Sequence, residues 1–174
     1  MEYEIRFYFS KIKYDYFVSI LKELDILKNG GRRYEKTSQY NHPSNEYDFY
    51  SKDIDGRFRI RKTILEGNSI CKISWKRRLS DTGDDIINKE EEIEVNIDSK
   101  DYDNLIYLLN NVLHMYEVES YERYRTVFEN DEVEISLDEY PFGLALEIEA
   151  KNNNVDSIDK YVKLLGLDYK DHLF

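Results

Sequence analysis

The sequence predicts an α+β fold in which eight antiparallel strands close, or nearly close, into a barrel covered by about three helices. The main observation is a recurring run in which charged and apolar residues alternate, as in Arg57-x-Arg59-x-Arg61. Successive side chains of a strand point to opposite faces, so each run has one charged face and one apolar face. The second observation is that three segments of helical periodicity interrupt these runs.

The predicted strands are short and follow one another without a linker, so the whole chain, 1–174, is interpreted as one domain. The first strand alternates Ile5 and Phe7 with Glu4 and Arg6, and the others repeat this pattern. Glu66-Gly67-Asn68 predicts the turn of a hairpin. We place the strands at residues 2–9, within 32–50, and at 57–62, 69–78, 89–97, 121–129, 132–138 and 145–151, with a polar loop at 80–88 containing Thr82-Gly83-Asp84-Asp85.

Three amphipathic segments predict helices at residues 13–28, 101–116 and 155–165. Gly30-Gly31 is interpreted as the end of the first helix, because glycine commonly stops a helix. In each segment one apolar stripe is expected to face the sheet. For the second helix that stripe consists of Leu105, Leu108, Leu109, Val112 and Leu113.

Closing this sheet would place charges of both signs around one interior, while the apolar faces point outward under the helices. Such an interior is costly on its own, because like charges repel each other and lose hydration. A ligand is therefore the expected reason for it, and the mixture of carboxylates and cations favours a polyanion complexed with a metal ion.

The composition restricts the possible partners. A formal net charge of −11 at pH 7 disfavours non-specific binding of nucleic acid, which depends on neutralising phosphates. The single cysteine, Cys71, excludes an internal disulfide and a cysteine-based zinc site. With no apolar stretch of membrane-spanning length and no signal-peptide pattern, we expect a cytoplasmic protein that does not bind membranes.

The ordered motifs resemble the CYTH superfamily, also called the triphosphate tunnel metalloenzymes. Glu2-Tyr3-Glu4-Ile5-Arg6 resembles the family's ExExK signature, with arginine where lysine is usual. The resemblance spans essentially the whole chain. It continues through Phe58-Arg59-Ile60-Arg61-Lys62, Lys72-Ile73-Ser74-Trp75-Lys76, Glu90-Glu91-Glu92-Ile93-Glu94-Val95 and Arg123-Tyr124-Arg125, and ends with the block from Ser136-Leu137-Asp138 to Leu146-Glu147-Ile148-Glu149.

This resemblance implies an eight-stranded tunnel that holds a triphosphate-containing small molecule together with Mg²⁺ or Mn²⁺. The phosphate-binding residues would be Arg59, Arg61, Lys72, Lys76, Arg123 and Arg125. The metal ligands would be Glu2, Glu4, Glu147 and Glu149. The catalytic residues would be Arg6, near the phosphates, and Glu92, Glu94 and Asp138, which would bind metal or position water. Arginine stays protonated at neutral pH, so Arg6 does not suit the role of proton acceptor.

Three functions are compatible with these motifs. The first is a metal-dependent triphosphatase acting on inorganic triphosphate, a nucleoside triphosphate or thiamine triphosphate, with a tunnel-type RNA 5′-triphosphatase as a related form. The second is a class IV adenylyl cyclase, for which we identify no adenine-binding residues. The third is a non-catalytic binder of nucleotides or polyphosphate. The chain would act as a monomer or homodimer, and the residues that select the substrate would lie at the tunnel mouth.

Single motifs of this kind have simpler interpretations. A lone pair of alternating charges is usually the solvated face of a strand. Glu90 and Lys89 lie near a loop and are expected to be solvated, and Glu132 and Glu134 to lie on the outer part of a hairpin. The three histidines, His42, His114 and His172, are scattered, so a histidine-based metal site is not expected.

Overall fold

The computed structural model describes residues 1–79 and 86–171. Its eight strands are β1 (Glu2–Phe9), β2 (Lys28–Asn41), β3 (Gly56–Leu65), β4 (Asn68–Arg78), β5 (Asn88–Ile97), β6 (Tyr116–Glu129), β7 (Val133–Tyr140) and β8 (Gly143–Ala150). Its three α-helices are α1 (Tyr14–Glu23), α2 (Tyr102–Tyr107) and α3 (Asp156–Leu164). The predicted loop with Thr82-Gly83-Asp84-Asp85 and the terminal His172 lie outside the described residues.

The strands form a closed antiparallel barrel in the order β1-β5-β4-β3-β2-β6-β7-β8. The predicted fold class, an eight-stranded antiparallel barrel with three α-helices, is therefore confirmed. Among the described residues, none of the helices is both long and apolar enough to cross a membrane. The contacts divide the chain into two compact units, which are described separately.

The first unit comprises Met1–Arg33 and the described parts of Ser80–Lys89 and Arg123–Phe174. Its core contains the apolar faces of β1, β7 and β8, together with residues of α1 and α3. Phe7 and Leu146 are opposite each other in the β1–β8 pair and fully buried. Burying a side chain of this size stabilises the fold by roughly 1.5–3 kcal/mol. The charged side chains of the same strands point to the opposite face.

The second unit comprises the described part of Tyr34–Leu79 together with Glu90–Glu122. Its core is smaller and contains Tyr40, Ile60 and Leu109, packed against partly buried neighbours from β3, β4 and α2. Phe58 and Ile60 reach this core from the same face of β3, so Arg57, Arg59 and Arg61 lie on the other face.

Two helix predictions are wrong in their extent. The first helix ends at Glu23, and Gly30 and Gly31 lie inside β2 instead of ending the helix. A Cβ on Gly30 would lie 3.4 Å from the carbonyl oxygen of Val127, and Gly31 has a φ of 85°. The contact at Gly30 is an ordinary van der Waals distance, whereas the left-handed backbone at Gly31 would strain other residues.

The second helix departs from the predicted stripe after one turn and a half. Residues Leu108–Val112 form a π-helix, whose wider turn rotates later side chains away from the face used by α2. Leu109 is buried as predicted, but Leu108, Val112 and Leu113 are exposed. The next strand, β6, also begins five residues before the predicted start at 121, at Tyr116.

Candidate functional site

The charged face of the first unit is set by the register of β1 and β8. Glu4 is directly opposite Glu149, and Arg6 is directly opposite Glu147. Side chains that are opposite each other in an antiparallel pair lie on the same face. The charged residues that alternate along each strand are therefore neighbours on one face of the sheet, and the apolar core lies on the other face.

Three carboxylates of this face form a group that we call the acidic cluster: Glu2, Glu4 and Glu149. One carboxylate oxygen from each lies within 4.8 Å of the others, and Glu4 is 5% exposed. Two oxygens bound to opposite sides of one Mg²⁺ are about 4.2 Å apart, and about 4.6–5.2 Å apart around Ca²⁺. The oxygen donors and their spacing thus fit one hard divalent cation after little movement.

Glu147 was predicted as a fourth metal ligand, but its carboxylate contacts two arginines. Arg6 donates hydrogen bonds to it from Nε, at 2.9 Å, and from a terminal guanidinium nitrogen. Arg125 donates from Nη2 to the other carboxylate oxygen at 3.3 Å. The Coulombic attraction of Glu147 raises the pKa of Arg6 well above its ordinary value, against the effect of burial. Arg6 is therefore a permanent cation here.

Asp138 lies on the same face and is fully buried. It accepts two hydrogen bonds from Arg125, at 2.6 and 2.7 Å, and one from Arg123 at 2.9 Å. Arg123 also donates to the hydroxyl of Tyr140 at 3.2 Å. Burial raises the pKa of Tyr140, so its phenol is neutral at physiological pH. We call this set the arginine network: Arg6, Arg123, Arg125, Asp138, Tyr140 and Glu147.

The charged face of the second unit is a ladder of ion pairs. Arg59 donates to Glu92 at 3.0 Å and to the hydroxyl of Ser74 at 3.3 Å. Arg61 donates to the hydroxyl of Thr37 at 2.9 Å, and its Nε lies 3.7 Å from a carboxylate oxygen of Glu35. These predicted phosphate-binding arginines thus lie against carboxylates of their own unit.

The two predicted lysines of this face differ in their surroundings. Lys72 forms a half-exposed pair with Glu94 at 2.7 Å. Lys76 lies 2.8 Å from Glu90, which also faces Arg78 at 3.6 Å. The expectation that Glu90 is solvated is wrong, since it is 1% exposed and placed between two cations. Lys89, its neighbour, is half-buried.

The predicted site residues therefore fall into three groups. Glu2, Glu4 and Glu149 form the acidic cluster. Arg6, Arg123, Arg125, Asp138 and Glu147 belong to the arginine network. Arg59, Arg61, Lys72, Lys76, Glu92 and Glu94 lie in the ion-pair ladder of the second unit. Their roles in binding and catalysis remain predictions.

The charged or polar residues of these faces that were not predicted as site residues include Glu35, Glu90 and Tyr140. The alternating pattern of β2 contained the signal for Glu35, which precedes Thr37 by two residues on the same face. The partner of each residue depends on strand register, which the sequence pattern alone does not give. Of the hairpin residues, Glu132 is half-buried and pairs with Lys160, and Glu134 is half-buried opposite Glu149.

The loop that follows β2 brings one further aromatic residue to the ladder. Asn41 accepts hydrogen bonds from the backbone of His42 and Phe49, at 2.8 and 3.0 Å, and thereby fixes the loop. Tyr50 then donates to the side chain of Gln39 at 3.2 Å, and Gln39 is opposite Arg59 in the β2–β3 pair. Burial raises the pKa of Tyr50 to about 12.

Comparison with solved structures finds several proteins with this fold. The PH1012 protein from Pyrococcus horikoshii OT3 matches with a TM-score of 0.76 and 18% identity, covering 99% of this chain and 94% of that one. An adenylate cyclase candidate from Vibrio parahaemolyticus matches with a TM-score of 0.70 and 15% identity, covering 99% and 93%.

A third match is the adenylyl cyclase candidate HpAC1 from Hippeastrum, described as having a dominant triphosphatase activity. Its TM-score is 0.65 at 16% identity, covering 96% of this chain and 89% of that one. No family model and no curated protein matches the chain. At these identities the likeness shows the fold alone.

Proposed function

We propose that this protein is a metal-dependent triphosphatase that hydrolyses the terminal phosphoanhydride bond of a triphosphate substrate. The observation that carries the proposal is the acidic cluster, in which Glu2, Glu4 and Glu149 bring three carboxylates within 4.8 Å on a face that also bears three arginines. Triphosphate hydrolysis needs cations for the phosphate oxygens and a hard metal ion, and the described face offers groups for both.

The acidic cluster would hold Mg²⁺ or Mn²⁺, with Glu2, Glu4 and Glu149 as ligands. The bound ion would neutralise phosphate charge and lower the pKa of a coordinated water. We assign Glu147 to the arginine network, because its two oxygens already accept hydrogen bonds from Arg6 and Arg125. The metal set proposed here is therefore smaller by one residue than the set expected from the sequence.

The arginines would bind and orient the phosphate chain. Arg6, Arg123 and Arg125 supply guanidinium groups suited to bidentate contact with phosphate oxygens. Arg59, Arg61, Lys72 and Lys76 of the second unit are proposed to supply further cations. Each of them would exchange a carboxylate partner for phosphate, so the ladder would rearrange when a substrate binds.

A water molecule would attack the terminal phosphorus in line with the bridging oxygen, whose bond to that phosphorus then breaks. Glu92 and Glu94 are the proposed acceptors of the proton from that water. Asp138 is a poor acceptor, because its two oxygens already face three guanidinium nitrogens. With inorganic triphosphate as substrate the products are orthophosphate and pyrophosphate.

A class IV adenylyl cyclase is the second candidate, favoured by the likeness to the adenylate cyclase candidate from Vibrio parahaemolyticus. It would break ATP at the α-phosphorus and release cyclic AMP and pyrophosphate. We rank it second, because no residue among those described is identified as holding adenine or activating the ribose hydroxyl.

The deciding experiment is product analysis by ion-exchange chromatography. Purified protein is incubated with inorganic triphosphate, ATP or thiamine triphosphate, each with Mg²⁺, Mn²⁺ or EDTA, and the Glu149→Gln variant serves as the matched control. We expect orthophosphate that depends on metal and is lost in the variant. Cyclic AMP with pyrophosphate would establish the cyclase. An absence of turnover would overturn both the triphosphatase and the cyclase proposals. The remaining candidates would then be an RNA 5′-triphosphatase and a non-catalytic binder.

A further inference from the structure

We propose that Asp138 is a positioning residue that holds Arg123 and Arg125 in the orientation needed to bind phosphate, and that it neither ligates metal nor accepts a proton. This inference rests on the proposed function and specifies how the phosphate-binding side of that site is built. It reassigns a residue that the sequence placed among the reacting groups.

The hydrogen bonds of Asp138 carry the proposal. Its Oδ1 accepts from Nε of Arg125 at 2.6 Å, and its Oδ2 accepts from Nη2 of Arg125 at 2.7 Å and from Nη1 of Arg123 at 2.9 Å. The two parallel bonds to Arg125 form the bidentate arrangement that fixes a guanidinium plane. A carboxylate used in this way sets the direction of two cationic side chains at once.

Strand register explains why one carboxylate can serve two arginines. Arg125 is directly opposite Asp138 in the β6–β7 pair, so their side chains lie on one face. Arg123 is two residues earlier on β6 and therefore lies on the same face. From there it reaches both Asp138 and the hydroxyl of Tyr140 on β7.

Charge and burial separate this role from metal binding. Asp138 is fully buried, and its described contacts are with cations, which compete with a metal ion for the same oxygens. The acidic cluster, in contrast, groups carboxylates from β1 and β8. Counted over the whole arginine network, Arg6, Arg123 and Arg125 against Asp138 and Glu147 leave one net positive charge, which favours a polyanion.

Tyr140 provides a second, weaker contact that supports the same orientation. Its hydroxyl accepts a hydrogen bond from Nη1 of Arg123 at 3.2 Å, and its ring is stacked on Phe142 with a centroid distance of 4.9 Å. The ring stack holds the hydroxyl in place. Removing only this hydroxyl should therefore loosen Arg123 and leave Arg125 fixed.

The test compares Asp138→Asn with Glu149→Gln in steady-state kinetics. The asparagine has the same shape but loses the charge and one acceptor oxygen, and thermal unfolding verifies that the variant folds. We expect the KM for inorganic triphosphate to rise about tenfold or more, because a buried charged pair is disrupted. The concentration of Mg²⁺ that gives half-maximal rate should change less than about twofold, whereas Glu149→Gln should raise it strongly. A rise in the metal requirement of Asp138→Asn with an unchanged KM would overturn the proposal.

A measurement without turnover separates this proposal from the proposed function. Nitrogen-15 NMR of the arginine Nε–H groups reports guanidinium orientation in the free protein. We expect the Nε–H group of Arg125 to give a distinct resonance that exchanges slowly with water. In Asp138→Asn this resonance should be averaged by free rotation of the side chain, and in Glu149→Gln it should be unchanged. Tyr140→Phe should alter the Arg123 resonance alone. An unchanged Arg125 resonance in Asp138→Asn would contradict the positioning role, whether or not the protein hydrolyses triphosphate.

Discussion

The two compact units carry the same alternating strands but arrange their charges differently. In the first unit, carboxylates from β1 and β8 group together in the acidic cluster. In the second unit, four carboxylates alternate with cations and lie within 4.0 Å of a lysine or arginine: Glu35 with Arg61, Glu90 with Lys76, Glu92 with Arg59, and Glu94 with Lys72.

This difference shows which charges indicate a ligand. Ion pairs on the face of a strand satisfy each other, so the ladder of the second unit can exist without a bound molecule. The acidic cluster differs because it brings three carboxylate oxygens within 4.8 Å of one another, a spacing that suits one divalent cation. The acidic cluster is therefore the stronger evidence for a functional site. The evidence that the paired cations bind a ligand comes mainly from the order of their motifs in the sequence.

The largest expected effect comes from two neighbouring glutamates of β8 that lie on one face. Glu149→Gln removes a proposed metal ligand, and we expect metal-dependent turnover to fall by about 100-fold or more. Glu147→Gln should instead raise the KM for inorganic triphosphate at an unchanged metal requirement, because Glu147 contacts Arg6 and Arg125.

Measuring the rate over a range of Mg²⁺ concentrations for each variant separates the two effects. If Glu147→Gln raises the metal requirement as much as Glu149→Gln does, then both glutamates bind the ion. The division between the acidic cluster and the arginine network would then be wrong.

A smaller effect is expected from Arg59→Ala in the second unit. The variant removes a proposed phosphate-binding group. It also leaves the half-buried carboxylate of Glu92 without this partner, so that this carboxylate repels the phosphate. Loss of a charged hydrogen bond at a partly buried site costs about 2 kcal/mol, or roughly 30-fold in affinity. Calorimetric titration with inorganic triphosphate, with and without Mg²⁺, measures it.

Arg77→Ala is the matched control for Arg59→Ala. Arg77 pairs with Glu91 at 3.3 Å and lies on the opposite face of β4 from Ser74 and Lys76, because they are an odd number of residues away. Its substitution should leave the affinity for triphosphate unchanged. A similar loss in both variants would indicate a general effect of positive charge and no specific role for Arg59.

The opposite sign is expected when a competing carboxylate of the ladder is neutralised. Glu92→Gln removes the charge that holds Arg59 at 3.0 Å, so Arg59 becomes easier to transfer to phosphate. We expect metal-free inorganic triphosphate to bind roughly threefold to tenfold more tightly, in line with about 1 kcal/mol for a partly screened charge pair. The readout is binding in EDTA, since Glu92 is also a proposed proton acceptor.

Glu91→Gln controls for the change of net charge, because Glu91 is the neighbouring residue and contacts Trp75 and Arg77 on the other face of β5. Its affinity for triphosphate should match that of the unaltered protein. Weaker binding by Glu92→Gln would show that Glu92 stabilises the binding form of Arg59 and does not compete with the ligand.

The sequence predicted the strands well, because a period of two over several residues is a local signal that the barrel preserves. Glu4 and Arg6 on one face, with Ile5 and Phe7 on the other, needed no knowledge of a partner strand. The second helix was mispredicted at Leu108 and Val112, because a π-helix changes the period within an otherwise regular apolar pattern.

The partners within the site were less predictable for a different reason. Whether Glu147 faces a metal ion or an arginine depends on register across β1, β7 and β8, and a shift of two residues would exchange its neighbours. The burial of Glu90 likewise depends on cations from another strand, β4. The pattern thus predicts which residues share a face, and the structure assigns them to pairs.

The smallest expected effect concerns Tyr50, at the Arg59 end of the ladder. Burial raises its pKa from 10.0 to about 12, so the folded state holds the phenol proton more tightly than the unfolded state. The resulting stabilisation is fully present below pH 10 and is lost as the pH rises from 10 towards 12. Because the side chain is partly exposed, solvent screening reduces its size.

Urea unfolding at a series of alkaline pH values tests this difference in the protein and in Tyr50→Phe. Below pH 10 the variant should be less stable by about 0.5–1.5 kcal/mol, because it lacks the hydrogen bond to Gln39. Between pH 10 and 12 its stability should fall less steeply, since one shifted phenol is gone. Tyr107→Phe, at a residue that is 62% exposed, should follow the unaltered protein throughout. Identical pH slopes for Tyr50→Phe and the unaltered protein would mean that the loop does not hold the Tyr50 hydroxyl against Gln39 in solution.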